Sequence, residues 1–212
     1  MNFEINKKGR DFVVGDIHGM YALFLAHLED ISFDREVDRM FSVGDLIDRG
    51  PNNLECLKLI EEPWFHSVIG NHEDMMIRVV LNGDNSHHWF SNGGEWCVDA
   101  GQEEVTRLAE IADKLPITIT VETHKGTVAI CHAQPPKEKW EPGEVLASFE
   151  RETAIWGRTW IKKRTNDILP RIKNIWKTFH GHTPVKEPVE LANVNFIDTG
   201  AVYTGNLTIV EL

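Results

Sequence analysis

Basic charge, cysteine pairs and long apolar runs are scarce in this chain, and each shortage removes a class of function. Lysine and arginine number 22 against 33 aspartates and glutamates, a net charge of −11 with histidine neutral. Tracks for nucleic acid are built from clustered Lys and Arg, so no nucleic-acid partner is expected. A phosphorylated substrate stays open, because a bound cation reverses the sign of the field around it. Most of the acidity reads as solubilising surface.

The three cysteines, Cys56, Cys97 and Cys131, are odd in number, lie far apart and form no Cys-x-x-Cys pair. A disulfide framework is therefore not expected, and a reducing compartment is the natural setting. No segment reaches the roughly 20 apolar residues needed to span a bilayer, and Met1 to Lys8 carries no apolar core of signal-peptide length. These absences lead us to expect a cytoplasmic protein with no membrane partner and no attached targeting domain. They leave the oligomeric state open.

The 212 residues are 42% hydrophobic and 26% charged, which suits one large α/β domain spanning 1–212. No internal repeat, low-complexity tract or linker divides the chain. Asp11 to Val14, Met40 to Val43 and Phe65 to Ile69 are short apolar runs of buried-strand type. Tyr21 to Leu28, Asn53 to Ile60 and Glu73 to Leu81 follow them with apolar residues at helical spacing. Residues 83–100, rich in Gly, Asn, His and Trp, read as a helical excursion, and Gln102 to Lys114 as a helix stopped by Pro116.

The period then changes. Ile117 to Val121 and Thr127 to Cys131 flank a turn at Lys125-Gly126, as in a hairpin. Asn174 to Phe179, Val194 to Ile197 and Leu207 to Val210 supply further strands, while 134–172 is mixed, with a loop at Lys162 to Asn166. Two packed sheets with outer helices fit this order best.

Three strings lie just after the first three strands: Gly15-Asp16-Ile17-His18-Gly19, Gly44-Asp45-Leu46-Ile47-Asp48-Arg49-Gly50 and Gly70-Asn71-His72-Glu73. Asp16 and Asp45 are 29 positions apart, and Asp45 and Asn71 are 26 apart, close to the period of a strand–helix–strand unit. Right-handed crossovers bring all three loops to one sheet edge, where open α/β sheets assemble their sites. Two later strands end in histidines, at Ile130-Cys131-His132-Ala133 and Phe179-His180-Gly181-His182-Thr183.

The candidate ligands are thus Asp16, His18, Asp45, Asn71, His132 and His182. Mixed oxygen and nitrogen donors suit a pair of divalent cations better than a lone structural zinc. A carboxylate can bridge two ions, and two ions roughly 3.5–4 Å apart can hold a hydroxide and clamp phosphoryl oxygens.

With these motifs the chain resembles the metal-dependent, calcineurin-like phosphoesterases, in their Ser/Thr protein phosphatase branch and its phage-lambda-like and bacterial group. The likeness runs from Phe12 to the Ile197-Asp198-Thr199-Gly200 and Gly205-Asn206-Leu207-Thr208 segments. It implies a sandwich of two mixed β-sheets flanked by helices. It implies hydrolysis of phosphoserine or phosphothreonine in proteins, with phosphotyrosine as a further substrate, by attack of a metal-bridging hydroxide.

It also implies roles for single residues. Asp16 and His18 would hold one metal, Asn71, His132 and His182 the other, and Asp45 both. His72 would protonate the leaving alkoxide, oriented by Asp48, and Arg49 and Arg158 would grip the phosphate. A proton donor at a poor leaving group is worth roughly 10²–10⁴-fold in rate, and guanidinium forks match phosphate oxygens. Manganese is the ion pair implied, although such donors also accept Fe, Zn, Co or Ni. One departure from the group's pattern is Ala133-Gln134-Pro135-Pro136, which stands where an acidic and an aromatic residue usually follow the histidine.

Blander readings stand beside these. A lone Asp-x-His between glycines is usually a turn. Asp48 could cap the helix after Pro51, and Asp198 could end a strand as a turn residue. His27, His66, His87, His88 and His124 read as surface or cap residues. Trp89, Trp96, Trp140, Trp156 and Trp160 fall where a groove could form, though core is the default for tryptophan. His180 is an alternative to His182 as ligand, which the Gly-His-Thr context disfavours.

Two rival functions remain. One is a dinucleoside polyphosphate hydrolase on the same fold, a group whose second motif lacks the acidic residue found here as Asp48. The other is an inactive scaffold, which would be expected to have lost a ligand or the acid.

Overall fold

Side chains one residue apart on a strand point to opposite faces, so a strand buried on both sides feeds two cores. Phe12 and Val14 pack on one side of their strand and Val13 on the other. The computed structural model describes residues 1–162 and 170–212. Its strands are β1 (Asn2–Phe3), β2 (Asp11–Val14), β3 (Arg39–Ser42), β4 (Phe65–Ser67), β5 (Thr118–Thr123), β6 (Gly126–Cys131), β7 (Lys177–His180), β8 (Val189–Leu191), β9 (Val194–Phe196) and β10 (Ile209–Glu211). They form two sheets, ordered β10-β2-β3-β4 and β1-β5-β6-β7-β9-β8. Both sheets are mixed. β2, β3 and β4 run parallel with β10 antiparallel to them, and β6, β7 and β9 run parallel beside the antiparallel β5.

The helices are α1 (Tyr21–Asp30), α2 (Asn53–Lys58), α3 (Asn71–Asn82), α4 (His87–Phe90), α5 (Trp96–Ala100), α6 (Gln102–Ala112), α7 (Ser148–Trp156), α8 (Thr159–Lys162) and α9 (Ala201–Thr204). Val13, Phe41, Val43 and Val68 from the smaller sheet meet Ile119, Val121, Val128, Ile130, Phe179 and Ile197 between the sheets. Phe24 and Leu28 of α1, Leu57 of α2 and Leu108 of α6 cover the outer face of the smaller sheet. Ala154 of α7, Ile161 of α8 and Trp140 cover the outer face of the larger one. Burying each such apolar side chain is worth roughly 1.5–3 kcal/mol, so these three layers fix the orientation of the strands.

Register sets where the loops emerge. Val14 pairs with Ser42 and Ser42 with Ser67, so β2, β3 and β4 end together. His180 pairs with Phe196 in the same manner in the larger sheet. The C-terminal ends of these parallel strands carry the motifs found in the sequence.

Several boundaries differ from the sequence reading. α3 begins at Asn71 rather than Glu73, because the Glu73 carboxylate reaches back to Gly70 N and closes the first turn. β7 starts only at Lys177, since Asn174 is at φ 64° and cannot lie in a strand. The mixed stretch 134–172 contains α7 and α8. Of the loop expected at Lys162 to Asn166, Lys162 closes α8 and the rest lies outside the described residues. Among the described residues no helix is long and apolar enough to cross a membrane.

Candidate active site

Backbone hydrogen bonds knit the five strand-end loops to one another. Ile17 N and His18 N both donate to Asp45 O (3.1 and 2.9 Å), hanging the first loop on the second. Glu73, fully buried, accepts from Asp45 N and Gly70 N (2.9 Å each) and from Leu46 N (2.8 Å), tying the second loop to the third. Gly181 N donates to His132 O at 2.7 Å, and His182 N donates to Asp16 Oδ2 at 2.9 Å. A Cβ at Gly181 would lie 1.7 Å from Asp16 Oδ1, so only glycine lets the last loop approach the first this closely.

His18 (φ 44°), Asp45 (φ 54°), Asp48 (φ 75°), Arg49 (φ 70°) and His182 (φ 68°) all occupy the left-handed region. Such backbone is costly for residues with side chains and persists where surrounding contacts over-determine it.

Asp45 is the hub. Its Oδ2 lies 3.4 Å from His132 Nε2, 3.6 Å from His18 Nε2 and 3.9 Å from His72 Nε2, while Oδ1 accepts from His72 N at 3.0 Å. Asn71 Oδ1 faces His132 Nε2 at 2.9 Å and His182 Nδ1 at 2.6 Å. Two groups of converging donors result, His18–Asp45–His72 and Asp45–His132–His182, sharing Asp45. Asp16 belongs to neither group, but its Oδ1 is buried without any hydrogen-bond partner. His180 turns away, with Nδ1 on Cys131 O and Nε2 on Thr178 Oγ1. The chain leaves β7 at His180 and His182 has a positive φ, so strand alternation does not align the two histidines.

This donor set fits divalent cations. His18 Nδ1 and His132 Nδ1 sit 2.7 Å from Ile47 O and Val43 O, so each donates its N–H outward and turns the Nε2 lone pair inward. The Nε2 atoms of both rings then face carboxylate and amide oxygens, an arrangement that a cation satisfies. At His132, where burial opposes the charged ring but Asp45 raises its pKa on balance, a proton also satisfies it. The electrostatics agree. Burial opposes ionisation of Asp45, yet His132, His72 and His18 hold its carboxyl well below the usual range. Burial, with the Asp198 and Asp45 carboxylates, pushes Asp16 well above it. Burial drives His18 down to about 3, favouring the neutral imidazole a metal requires.

Beside this centre stands a buried dyad. His72 Nδ1 donates to Asp48 Oδ2 at 2.6 Å, with His72 1% and Asp48 0% exposed. Asp48 does not cap the next helix, which starts at Asn53 after Asn52. Two exposed guanidiniums border the cluster: Arg49 Nη1 lies 2.6 Å from His18 Nε2, and Arg158 Nε donates to His182 Nε2 at 3.0 Å. Gln134, in the loop that departs from the family pattern, accepts from Thr159 N and Trp160 N and so fixes the backbone next to Arg158.

Sequence reasoning left four contributors out of the site: Glu73, Trp89, Trp96 and Asp198. Glu73 stands in the third motif, but nothing local marks its carboxylate as an acceptor for backbone N–H groups. Trp89 and Trp96 each donate an indole N–H to Asp48, at 2.9 and 2.7 Å, and nothing in residues 83–100 marks that contact. Asp198 accepts from Gly200 N as a turn residue does, but it is also buried, and burial and the charge of Asp45 raise its carboxyl to about 6.

Residues 12–207 match the family described as calcineurin-like phosphoesterase. Serine/threonine-protein phosphatase 1 of Salmonella typhimurium is 33% identical over 204 residues, covering 95% of this chain and 91% of that protein. Serine/threonine-protein phosphatase 2 of Escherichia coli is 34% identical, covering 95% and 92%. An asymmetrical bis(5'-nucleosyl)-tetraphosphatase of Anoxybacillus flavithermus is 28% identical, covering 92% and 87%.

Proposed function

The chain belongs to the calcineurin-like phosphoesterase family, and from that premise we propose that it is a metal-dependent protein phosphatase cleaving phosphoserine and phosphothreonine monoesters. The observation that carries this reading is the buried Asp48–His72 pair beside two donor clusters that share Asp45. A serine alkoxide is a poor leaving group and calls for a proton donor, whereas a nucleotide leaves as a stable phosphate anion and does not. The relatives named as serine/threonine-protein phosphatases support the same choice. We take residues 1–212 as one catalytic unit acting in the cytoplasm, with a phosphoprotein or phosphopeptide as its partner.

In this proposal Asp16, His18 and Asp45 hold one divalent cation and Asp45, Asn71, His132 and His182 a second, with manganese as the pair. When bound, the cations supply Lewis acidity, stabilising charge on the phosphoryl oxygens and making water a better nucleophile at neutral pH.

The protein's own groups do the rest. Asp48 accepts the Nδ1–H of His72 and fixes the ring, leaving Nε2 to deliver a proton to the leaving serine oxygen. Arg49 and Arg158 are exposed and can turn from the imidazoles they now contact to the phosphate oxygens, where their forks bind bidentately. Engagement of His18 Nε2 by a cation would itself release Arg49.

Parallel assays with a phosphoserine peptide and diadenosine tetraphosphate, both with manganese, test the choice of substrate. Turnover of the peptide well above that of the dinucleotide is expected. The reverse preference would establish the nucleotide hydrolase, and no turnover of either, nor of p-nitrophenyl phosphate, would establish a scaffold.

A further inference from the structure

The Asp48 carboxylate is completely buried and is satisfied almost wholly by nitrogen donors from distant parts of the chain. Oδ2 accepts from His72 Nδ1 at 2.6 Å and from Trp89 Nε1 at 2.9 Å, and Oδ1 accepts from Trp96 Nε1 at 2.7 Å. The two indoles meet edge to face, with ring centroids 6.3 Å apart and planes at 90°. That crossing lets one N–H reach each oxygen. Close packing holds the arrangement: a Cβ at Gly94 would lie 2.5 Å from the Trp89 indole, so glycine is needed there for α4 and α5 to fold over the ring. Asp48 and Arg49 meanwhile hold positive φ angles that need outside support.

We propose that Trp89 and Trp96 are positioning residues that clamp Asp48, and through it aim His72 at the leaving oxygen. Indole suits the task because it offers one donor, no acceptor and no proton that titrates near neutrality. A hydroxyl or ammonium at the same place could accept or exchange a proton with the dyad, and a cation would neutralise the carboxylate. Two neutral donors fix both oxygens without taking the charge that Asp48 presents to His72. The consequence is specific: the clamp matters where proton delivery limits the rate, so it separates alkyl phosphates from aryl phosphates.

This inference rests on the assignment of His72 as proton donor, and the experiment keeps the two apart. Trp96→Phe keeps an aromatic ring at a half-buried site and removes the N–H together with part of the indole. Trp89→Phe is the companion at a fully buried site, and Trp176→Phe, remote from the dyad, is the control. Each is assayed with manganese on a phosphoserine peptide and on p-nitrophenyl phosphate, beside His72→Asn, after metal content and melting temperature confirm a loaded, folded protein.

For Trp96→Phe we expect kcat on the peptide to fall about tenfold, KM to stay within about twofold, and kcat on p-nitrophenyl phosphate to change less than about twofold. If His72→Asn loses rate selectively on the peptide but Trp96→Phe falls equally on both substrates, or on neither, the clamp is refuted and the proposed function stands. If His72→Asn itself falls equally on both, the proton-donor assignment fails and the clamp fails with it.

Discussion

At the scale of single residues, His72 is the sharpest case. Its backbone N–H donates to Asp45 and its Nδ1 to Asp48, and the preceding Asn71 faces His132 and His182. His72→Asn should therefore lower kcat on a phosphoserine peptide by roughly 10²–10⁴-fold with KM little changed. Metal analysis of the same variant should show both ions retained, and their loss would move His72 from the acid to the ligand set. Arg158→Ala should act differently, raising KM several-fold more than it lowers kcat, because an exposed guanidinium at the rim chiefly binds phosphate. Steady-state kinetics on one peptide separate the two effects.

Of the six ligand candidates, Asp16, His18, Asp45 and Asn71 were legible in the sequence because strand–helix–strand spacing delivers them to one edge, and His132 and His182 because each closely follows a strand. The contribution of Glu73 was not, since nothing local announces that its carboxylate will accept three backbone N–H groups from two loops.

At the scale of elements, the five loops depend on one another more than on their strands. Glu73→Gln keeps one acceptor oxygen but turns an NH₂ toward backbone donors. Each buried donor left unsatisfied costs about 1–3 kcal/mol. The melting temperature should fall, and manganese should bind more weakly, because Glu73 anchors both Asp45 N and Leu46 N. Calorimetric scans with chelator and with manganese read both effects. A melting temperature unchanged in both scans would mean the loops are held by other contacts.

Elements with strong apolar runs, such as β2, β3 and α1, were readable, with ends within a few residues. Short pieces were not. β1 and β8 have two and three residues and exist only by pairing with neighbours. α4 and α5 have four and five residues, too few to show helical periodicity, and they are anchored by the packing of Trp89 and Trp96 on the core and their hydrogen bonds to Asp48.

Across the whole molecule, the two-sheet architecture followed from the change of period after Pro116, and the structure bears that out. One histidine, away from the site, links the fold to pH. The His66 ring packs against Phe3 and Phe41, with centroids 4.5 and 5.4 Å away, and is half-buried where the sequence suggested a surface or cap residue. Burial first, and then the charge of Arg39, push it down to about 4, against the pull of Asp11. An unfolded chain protonates histidine near pH ~6.5. Between these values the unfolded state binds more protons, so this contribution to stability is full above pH ~6.5 and is lost as pH falls towards about 4. His66→Phe should flatten the decline of melting temperature in that window, and an unchanged slope would show that His66 does not contribute.

The central claim is that one carboxylate, Asp45, joins two cation sites built by residues from both sheets. Equilibrium titration of manganese into the metal-free protein, wild type beside Asp45→Asn, tests it most directly. Two ions per wild-type chain are expected, with both bound more weakly in the variant. One ion in the wild type, or two tightly held ions in Asp45→Asn, would contradict it.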